Sequence, residues 1–249
     1  MIKLLQQGGY MGVYSNTEIK DAIKKGVIIS VPFSEKHVSE ASLDFTLGHY
    51  YYRQDREGSG SVYNPFDQDD VTRYFQGPLE AVPHKKWCDE HGYKTFVNIP
   101  DNHPVIVLQP GERILAHTHE FIGIRATGGA CEVRSRSSWG RNGVAVCFDA
   151  GWIDPGYIIR ITLEIYNLNK HESVVIPVGE RMGQLIFHHT GPVEGSYEQG
   201  RNGVSGKYQN TSNLDKLIAN WKPSDMLPRA FKDTRVMPEK VKGLGKRIK

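Results

Sequence analysis

From Pro104 to Phe187 the chain is cut into six short apolar runs: PVIVLQPGERILAHT, CEVRSRSS, VAVCFDA, YIIRITLEIYN, SVVIPVG and MGQLIF. Each is bounded by Gly, Pro or Asn. Runs this short, with a turn signal after each, are spaced for a β-sandwich or barrel rather than for helices. In YIIRITLEIYN, Ile159, Ile161, Leu163 and Ile165 alternate with Arg160, Thr162 and Glu164. Successive strand residues point to opposite faces, so one set is core and the other can carry a polar site. The 26 glycines among 249 residues agree with a turn-rich β fold.

The amino-terminal part is mixed. Ser15 to Glu18 has the S-x-x-E spacing of a capping box, and Ile19, Ala22 and Ile23 follow at helical spacing before Gly26. One short amphipathic helix is expected there, then β-like runs in VIISVPF and SLDFTLGHYYYR. Residues 54–103, rich in Gly, Ser, Asp and Pro, read as a long loop or insertion. MIKLLQQGGYMGVY lacks the apolar centre of a signal peptide, and no stretch approaches the ~18 apolar residues that span a membrane. Cys88, Cys131 and Cys147 are an odd number without C-x-x-C spacing, which disfavours a disulfide framework and a thiolate zinc site. A reducing, cytoplasmic protein is expected.

The net charge of +3 is unevenly spread. Residues 213–249 hold ten Lys/Arg against four Asp/Glu, a net of +6, and the preceding 212 residues carry −3. The boundary suggests a β domain over 1–212 and a basic carboxy-terminal extension over 213–249. Such an extension offers a surface to nucleic acid or an acidic partner; the other reading is a solvated tail packed on a neighbouring subunit.

Three polar clusters carry the chemistry: RSRSSWGR (134–141), DAGWIDPGY (149–157) and ITLEIYN (161–167). Arg136 and Arg141, with Ser137 and Ser138 between them, offer charge-assisted donors to phosphate oxygens, so an anionic ligand is expected. Asp154 and Glu164 are either functional carboxylates or arginine partners.

R-S-S-x-x-R at 136–141, A-G-x-I-D-P-G-Y at 150–157, T-L-E at 162–164 and G-Q-L at 183–185 together resemble the dCTP deaminase branch of the dUTPase superfamily. EIKDAIKKGVIISVPF, SLDFTLG and a shortened G-K-Y-Q segment at 206–209 extend the resemblance. It implies a distorted β-barrel or jelly roll, assembled as a homotrimer with active sites shared between subunits. It also implies hydrolytic deamination of dCTP without zinc, and no H-x-E paired with P-C-x-x-C is present. By that resemblance Glu164 shuttles the proton of the attacking water, and Ser137 and Arg141 orient the water. Arg136, Ser138, Gln184, Tyr197 and Lys207 hold the triphosphate with its magnesium, Asp154 contacts the deoxyribose, and Thr162 lines the base pocket.

Two departures stand out. Asp149 replaces a threonine of the pattern; it accepts a hydrogen bond from a base, repels it, or pairs with Arg134 or Arg141. Thr211 stands where the pattern has a glutamine, and either Gln209 substitutes or the register shifts. Three other readings stay open. One is a dUTPase or bifunctional deaminase/diphosphatase, since Asp154 and Glu164 coexist. The second is a non-catalytic nucleotide-binding relative. The third is a cupin-like metal protein using His117 and His119, with His188 and His189 as a further imidazole pair.

Overall fold

A computed structural model describes residues 12–54, 62–199 and 206–232. Helix α1 (Asn16–Lys24) begins where the capping box places it: the Ser15 hydroxyl accepts from the Glu18 amide, and the Glu18 carboxylate accepts from the Ser15 amide at 2.8 Å. Next come β1 (Ile28–Val31), β2 (Val38–Ser39), β3 (Ser42–Thr46) and β4 (Tyr50–Gln54). The chain continues through α2 (Gln68–Tyr74), β5 (Phe75–Glu80), β6 (Val82–Pro83), α3 (His84–His91), β7 (Pro104–Leu108), β8 (Arg113–His117) and β9 (Phe121–Ile124). Then follow β10 (Ala130–Ser135), α4 (Ser137–Arg141), β11 (Val144–Val146), β12 (Trp152–Ile153), β13 (Ile158–Ile159), β14 (Thr162–Asn167), β15 (Val174–Pro177), β16 (Arg181–His188) and α5 (Leu214–Asn220).

The strands form four antiparallel sheets, ordered β1-β9-β13, β12-β10-β16-β3-β2, β11-β14-β8-β4-β5 and β15-β7-β6. Their inner faces close on one core that includes Phe45, Phe187, Leu43, Ile114, Ile122, Leu163, Ile165 and Leu185. The fold is therefore mainly β, a distorted barrel with a short amino-terminal helix.

Three local expectations need correction. The described part of 54–103 is not a loop. It holds α2, β5, β6 and α3, and β5 extends a main sheet through Tyr50↔Glu80 and Gln54↔Phe75. Strand β5 is almost wholly exposed and contains Gly77-Pro78, so it has no alternation to read. YIIRITLEIYN is two strands: β13 pairs with β9 and β14 with β8. Between them Thr118 holds Ile161 twice, by amide to carbonyl at 2.9 Å and by hydroxyl from amide at 2.9 Å, and there the chain changes sheets. CEVRSRSS leaves its strand after Ser135 and coils into α4.

The basic extension is not a free tail over its described part. Leu217 of α5 packs with Ile29, Phe121 and Ile158, and Met226 packs with Tyr52, Val71, Phe75 and Leu115. The Trp221 ring lies 4.7 Å from that of His117, and the Arg160 guanidinium lies 4.7 Å over the Trp221 ring. Apolar anchors thus seat residues 213–232 on their own barrel, whereas six of the ten Lys/Arg belong to 233–249, outside the described residues. Among the described residues no helix is long and apolar enough to cross a membrane.

Candidate functional site

The arginine–serine cluster is organised by a residue the motif reading passed over. Asp44 sits centrally on β3, its side chain fully buried, and one oxygen accepts from both Arg136 and Arg181, the latter at 3.1 Å. Its other oxygen has no hydrogen-bond partner among the described residues. Beside it Gln184 of β16 lies across from Asp44 and Arg134 and accepts from the Ser42 hydroxyl at 3.1 Å. Arg136 immediately precedes α4, and the Trp139 indole N–H fixes that helix to the Arg181 carbonyl at 3.1 Å. Ser137, Ser138 and Arg141 are then left exposed on five helical residues, and Arg141 forms no ion pair among the described residues. A guanidinium has five N–H donors, so Arg136 keeps some for an anion while bound to Asp44. The signal for Asp44 was in the sequence: a lone charge inside the apolar run SLDFTLG.

Glu164 and Thr162 share one half-buried face of β14, opposite the buried Leu163 and Ile165. Strand β11 pairs alongside, Val146 against Ile165, and the Ser135 hydroxyl clasps the Val146 amide at 3.1 Å, tying α4's sheet to Glu164's. The chain then turns through Cys147 at φ 56° and Phe148 at φ 30°, a left-handed conformation that strains non-glycine residues. Cys147 donates its amide to the Glu164 carbonyl at 3.0 Å. Burial pushes the Glu164 carboxyl above the ordinary range, against the opposing pull of hydrogen bonding from its own backbone and the Cys147 thiol and of the Arg113 charge. Asp149, just past the strained turn, is exposed and pairs with neither Arg134 nor Arg141; Arg134 pairs with Glu132 at 2.5 Å.

The D-P-G-Y turn gathers a third group. Asp154 is exposed and accepts from the Trp152 indole at 3.2 Å. Gly156 has φ +90°, and a Cβ there would press 3.1 Å from Ser196 Cβ, so the turn requires glycine. Buried Gln209 pins this turn, accepting from the Ile158 amide at 2.7 Å and donating to the Gly156 carbonyl at 3.0 Å. The Tyr157 and Tyr197 rings lie 4.4 Å apart, the Gly206 amide donates to the Tyr197 carbonyl at 3.0 Å, and Lys207 follows directly. Burial pushes the Tyr197 phenol up to about 12, so it acts as a neutral donor. Asp154, Tyr197 and Lys207 thus lie around one turn, Arg136 and Gln184 around Asp44, and Glu164 with Thr162 on β14. Among the described residues no hydrogen bond or ion pair joins Glu164 to Ser137, Arg141 or Asp154, and neither carboxylate forms a salt bridge with an arginine.

His117 is a packing residue. Its Nδ1–H donates to the Thr118 carbonyl at 2.7 Å and its Nε2 accepts from the Tyr50 amide at 3.2 Å, so both ring nitrogens are used. Gly48 lies so close that a Cβ there would sit 2.0 Å from Cε1 of the ring. Among the described residues no three His, Cys, Asp or Glu side chains converge as metal ligands, and the cupin-like arrangement is not formed. Burial foremost, aided by Arg160, His119 and His49, lowers the His117 pKa from 6.5 to about 4, against the Thr118 bond that raises it. A depressed folded-state pKa contributes stability that is complete above pH 6.5 and is lost as pH falls through about 4, here about 3 kcal/mol. In urea unfolding at successive pH values, His117→Gln is therefore expected to narrow its stability deficit against the wild type between pH 6.5 and 4; a constant deficit would show that His117 does not titrate this way.

Fold and site together define a β-barrel protein with a partly shielded carboxylate on one strand and an arginine–serine helix between two others, a set of groups suited to activating water beside an anion. Residues 13–190 match the family model described as dCTP deaminase-like, and the chain belongs to that family. The chain is 32% identical over 195 residues to the "dCTP deaminase, dUMP-forming" of Nanoarchaeum equitans, covering 78% of this chain and 90% of the relative. It is also 32% identical over 206 residues to the protein of the same name from Methanopyrus kandleri, covering 80% of this chain and 91% of that one. The crystal structure of 2'-deoxycytidine 5'-triphosphate deaminase from Agrobacterium tumefaciens aligns at TM-score 0.48 and 18% identity. That alignment covers 71% of this chain and 46% of the other, so this chain spans less than half of that one.

Proposed function

We propose that the chain is a hydrolase that deaminates dCTP and carries the product on to dUMP and pyrophosphate. The observation that carries this reading is a half-buried Glu164 with an elevated pKa in the same chain as an exposed Asp154 that forms no ion pair among the described residues, together with relatives named for forming dUMP. In the first step Glu164 takes a proton from water, the hydroxide attacks carbon 4 of the cytosine, and the same carboxyl returns the proton to the departing ammonia. Water and dCTP give dUTP and ammonia. A carboxyl whose pKa is raised toward the working pH can do both halves. Ser137 and Arg141 orient the water. Arg136, Ser138, Gln184, Tyr197 and Lys207 hold the phosphates, Thr162 borders the base, and Asp149 sets the base preference. In the second step Asp154, which also contacts the deoxyribose, activates water at the α-phosphate, and pyrophosphate leaves.

Magnesium would be carried on the triphosphate, where it would neutralise phosphate charge, with Arg136, Ser138, Gln184, Tyr197 and Lys207 meeting the phosphate oxygens. Those guanidinium, hydroxyl, amide and ammonium groups are donors suited to phosphate oxygens. Membership of the dCTP deaminase-like family supports a homotrimer in which a neighbouring subunit completes each site. The test incubates the protein and magnesium with dCTP, dUTP, dCMP and CTP and resolves the products chromatographically. dCTP is expected to yield dUMP, pyrophosphate and ammonia. dUTP accumulating without dUMP removes the second step, and no change in any nucleotide removes the reading.

A further inference from the structure

Strands β8 and β14 pair directly, and their register fixes which side chains meet on the face that carries Glu164. Glu164 stands across from Leu115, Thr162 from His117 and Tyr166 from Arg113. Cross-strand partners point to the same face, and diagonal neighbours lie about 7–8 Å apart, within reach of a long side chain. Arg113 is therefore the diagonal neighbour of Glu164. Its guanidinium is held in place by neutral groups. It donates to the Tyr166 hydroxyl at 3.1 Å, lies 5.6 Å over the Tyr166 ring, and, with the Gln54 amide turned to present its oxygen, donates Nε–H to Gln54 at 2.7 Å. A guanidinium keeps its charge at any working pH, so a half-buried cation sits beside Glu164 with no ion pair of its own among the described residues.

The other groups around Glu164 supply no positive charge. Cys147, whose amide donates to the Glu164 carbonyl from β11, is a thiol that burial keeps protonated. His117 is neutral above about pH 4, and Tyr52, across from Leu115 on β4, is a phenol pushed up by burial. Asp149, beyond the strained turn, is an exposed acid. Among the described residues Arg113 is thus the one lysine or arginine on this face of β8 and β14. We propose that Arg113 is a positioning residue for the proton shuttle: its fixed charge keeps Glu164 as the carboxylate that the attacking water needs. This rests on the deaminase reading. Burial alone favours the protonated acid, which cannot take a proton from water, and the neighbouring cation pulls the other way. The same charge makes Glu164 readier to return that proton to the departing ammonia.

The test follows kcat at saturating dCTP against pH in the wild type, Arg113→Gln and Arg113→Lys, with Arg113→Met replacing the glutamine variant if that one fails to fold. The acidic limb reports protonation of Glu164. Without the neighbouring charge its midpoint is expected to move up by about half a pH unit to one unit. Lysine keeps a cation there, so the midpoint of Arg113→Lys is expected to stay near that of the wild type. A merely structural role would lower the rate at every pH and leave the midpoint where it is. An unmoved midpoint in the uncharged variant, or the same shift in Arg113→Lys, overturns the proposal. A second readout needs no turnover: carbon-13 NMR of protein labelled at the glutamate carboxyl, with the Glu164 resonance identified by its loss in Glu164→Gln, should show a titration midpoint that moves with the same sign. A chain inert toward dCTP refutes the deaminase reading, whereas the coupling of Arg113 to Glu164 stands or falls on the carboxyl titration.

Discussion

Glu164→Gln is expected to lower the deamination rate with dCTP by about 10²–10⁴-fold, while calorimetry finds nucleotide binding within a few-fold of the wild type. The amide keeps the shape of the side chain and its seat on β14 but can neither take a proton from water nor return one to ammonia. The same substitution has a stability signature of its own. Burial raises the Glu164 pKa, so the folded chain holds that proton more tightly than the unfolded chain does. The sign follows: the contribution is complete below the ordinary glutamate pKa and is lost as pH rises through the elevated value. Glutamine carries no such dependence. Urea unfolding should therefore place the variant above the wild type at neutral pH, with the gap closing toward pH 4. A variant that still deaminates, or one whose stability gap is independent of pH, would rule out Glu164 as a shielded proton shuttle.

Much of this site was legible because its geometry is local. The alternation from Ile159 to Ile165 placed Glu164 and Thr162 on a polar face, and β14 buries Leu163 and Ile165 opposite them. The Ser15–Glu18 box started α1 where expected. What escaped the sequence depends on partners distant along the chain. The sheet change at Ile161 is imposed by Thr118, 43 residues earlier, and no pattern within YIIRITLEIYN encodes it. The extension carried a charge signal, yet its placement is decided by Leu217, Trp221 and Met226 finding apolar patches on the barrel. An arginine motif reads as a ligand for phosphate whether or not a buried carboxylate already holds it, and Asp44 lies 92 residues before Arg136.

That buried carboxylate carries the second large effect. Asp44→Asn is expected to destabilise the fold by about 2–4 kcal/mol and to raise the KM for dCTP more than it lowers kcat. Breaking a buried ion pair from one side typically costs about 3–5 kcal/mol, because the stranded charge loses its partner without regaining water. Here the stranded groups are Arg136 and Arg181, whose side chains are 29% and 46% exposed, so water recovers part of the loss and the lower figure applies. The catalytic consequence runs through position: Asp44 aims Arg136 from the end of β10, and an amide keeps one acceptor oxygen but not the negative charge, so it holds the guanidinium far more weakly. Asp44→Leu separates the two roles. Asp44 shares its face of β3 with Ser42 and Thr46 and lies across from Gln184, so a leucine there needs no ion partner but meets no apolar one, and it is expected to recover only part of the stability in denaturant. It restores no anchor for Arg136, so the KM defect should persist. If the leucine variant regains both stability and substrate affinity, Asp44 is a packing position and Arg136 finds the phosphates unaided. If it regains stability alone, the carboxylate is kept for where it holds an arginine rather than for what it adds to the fold.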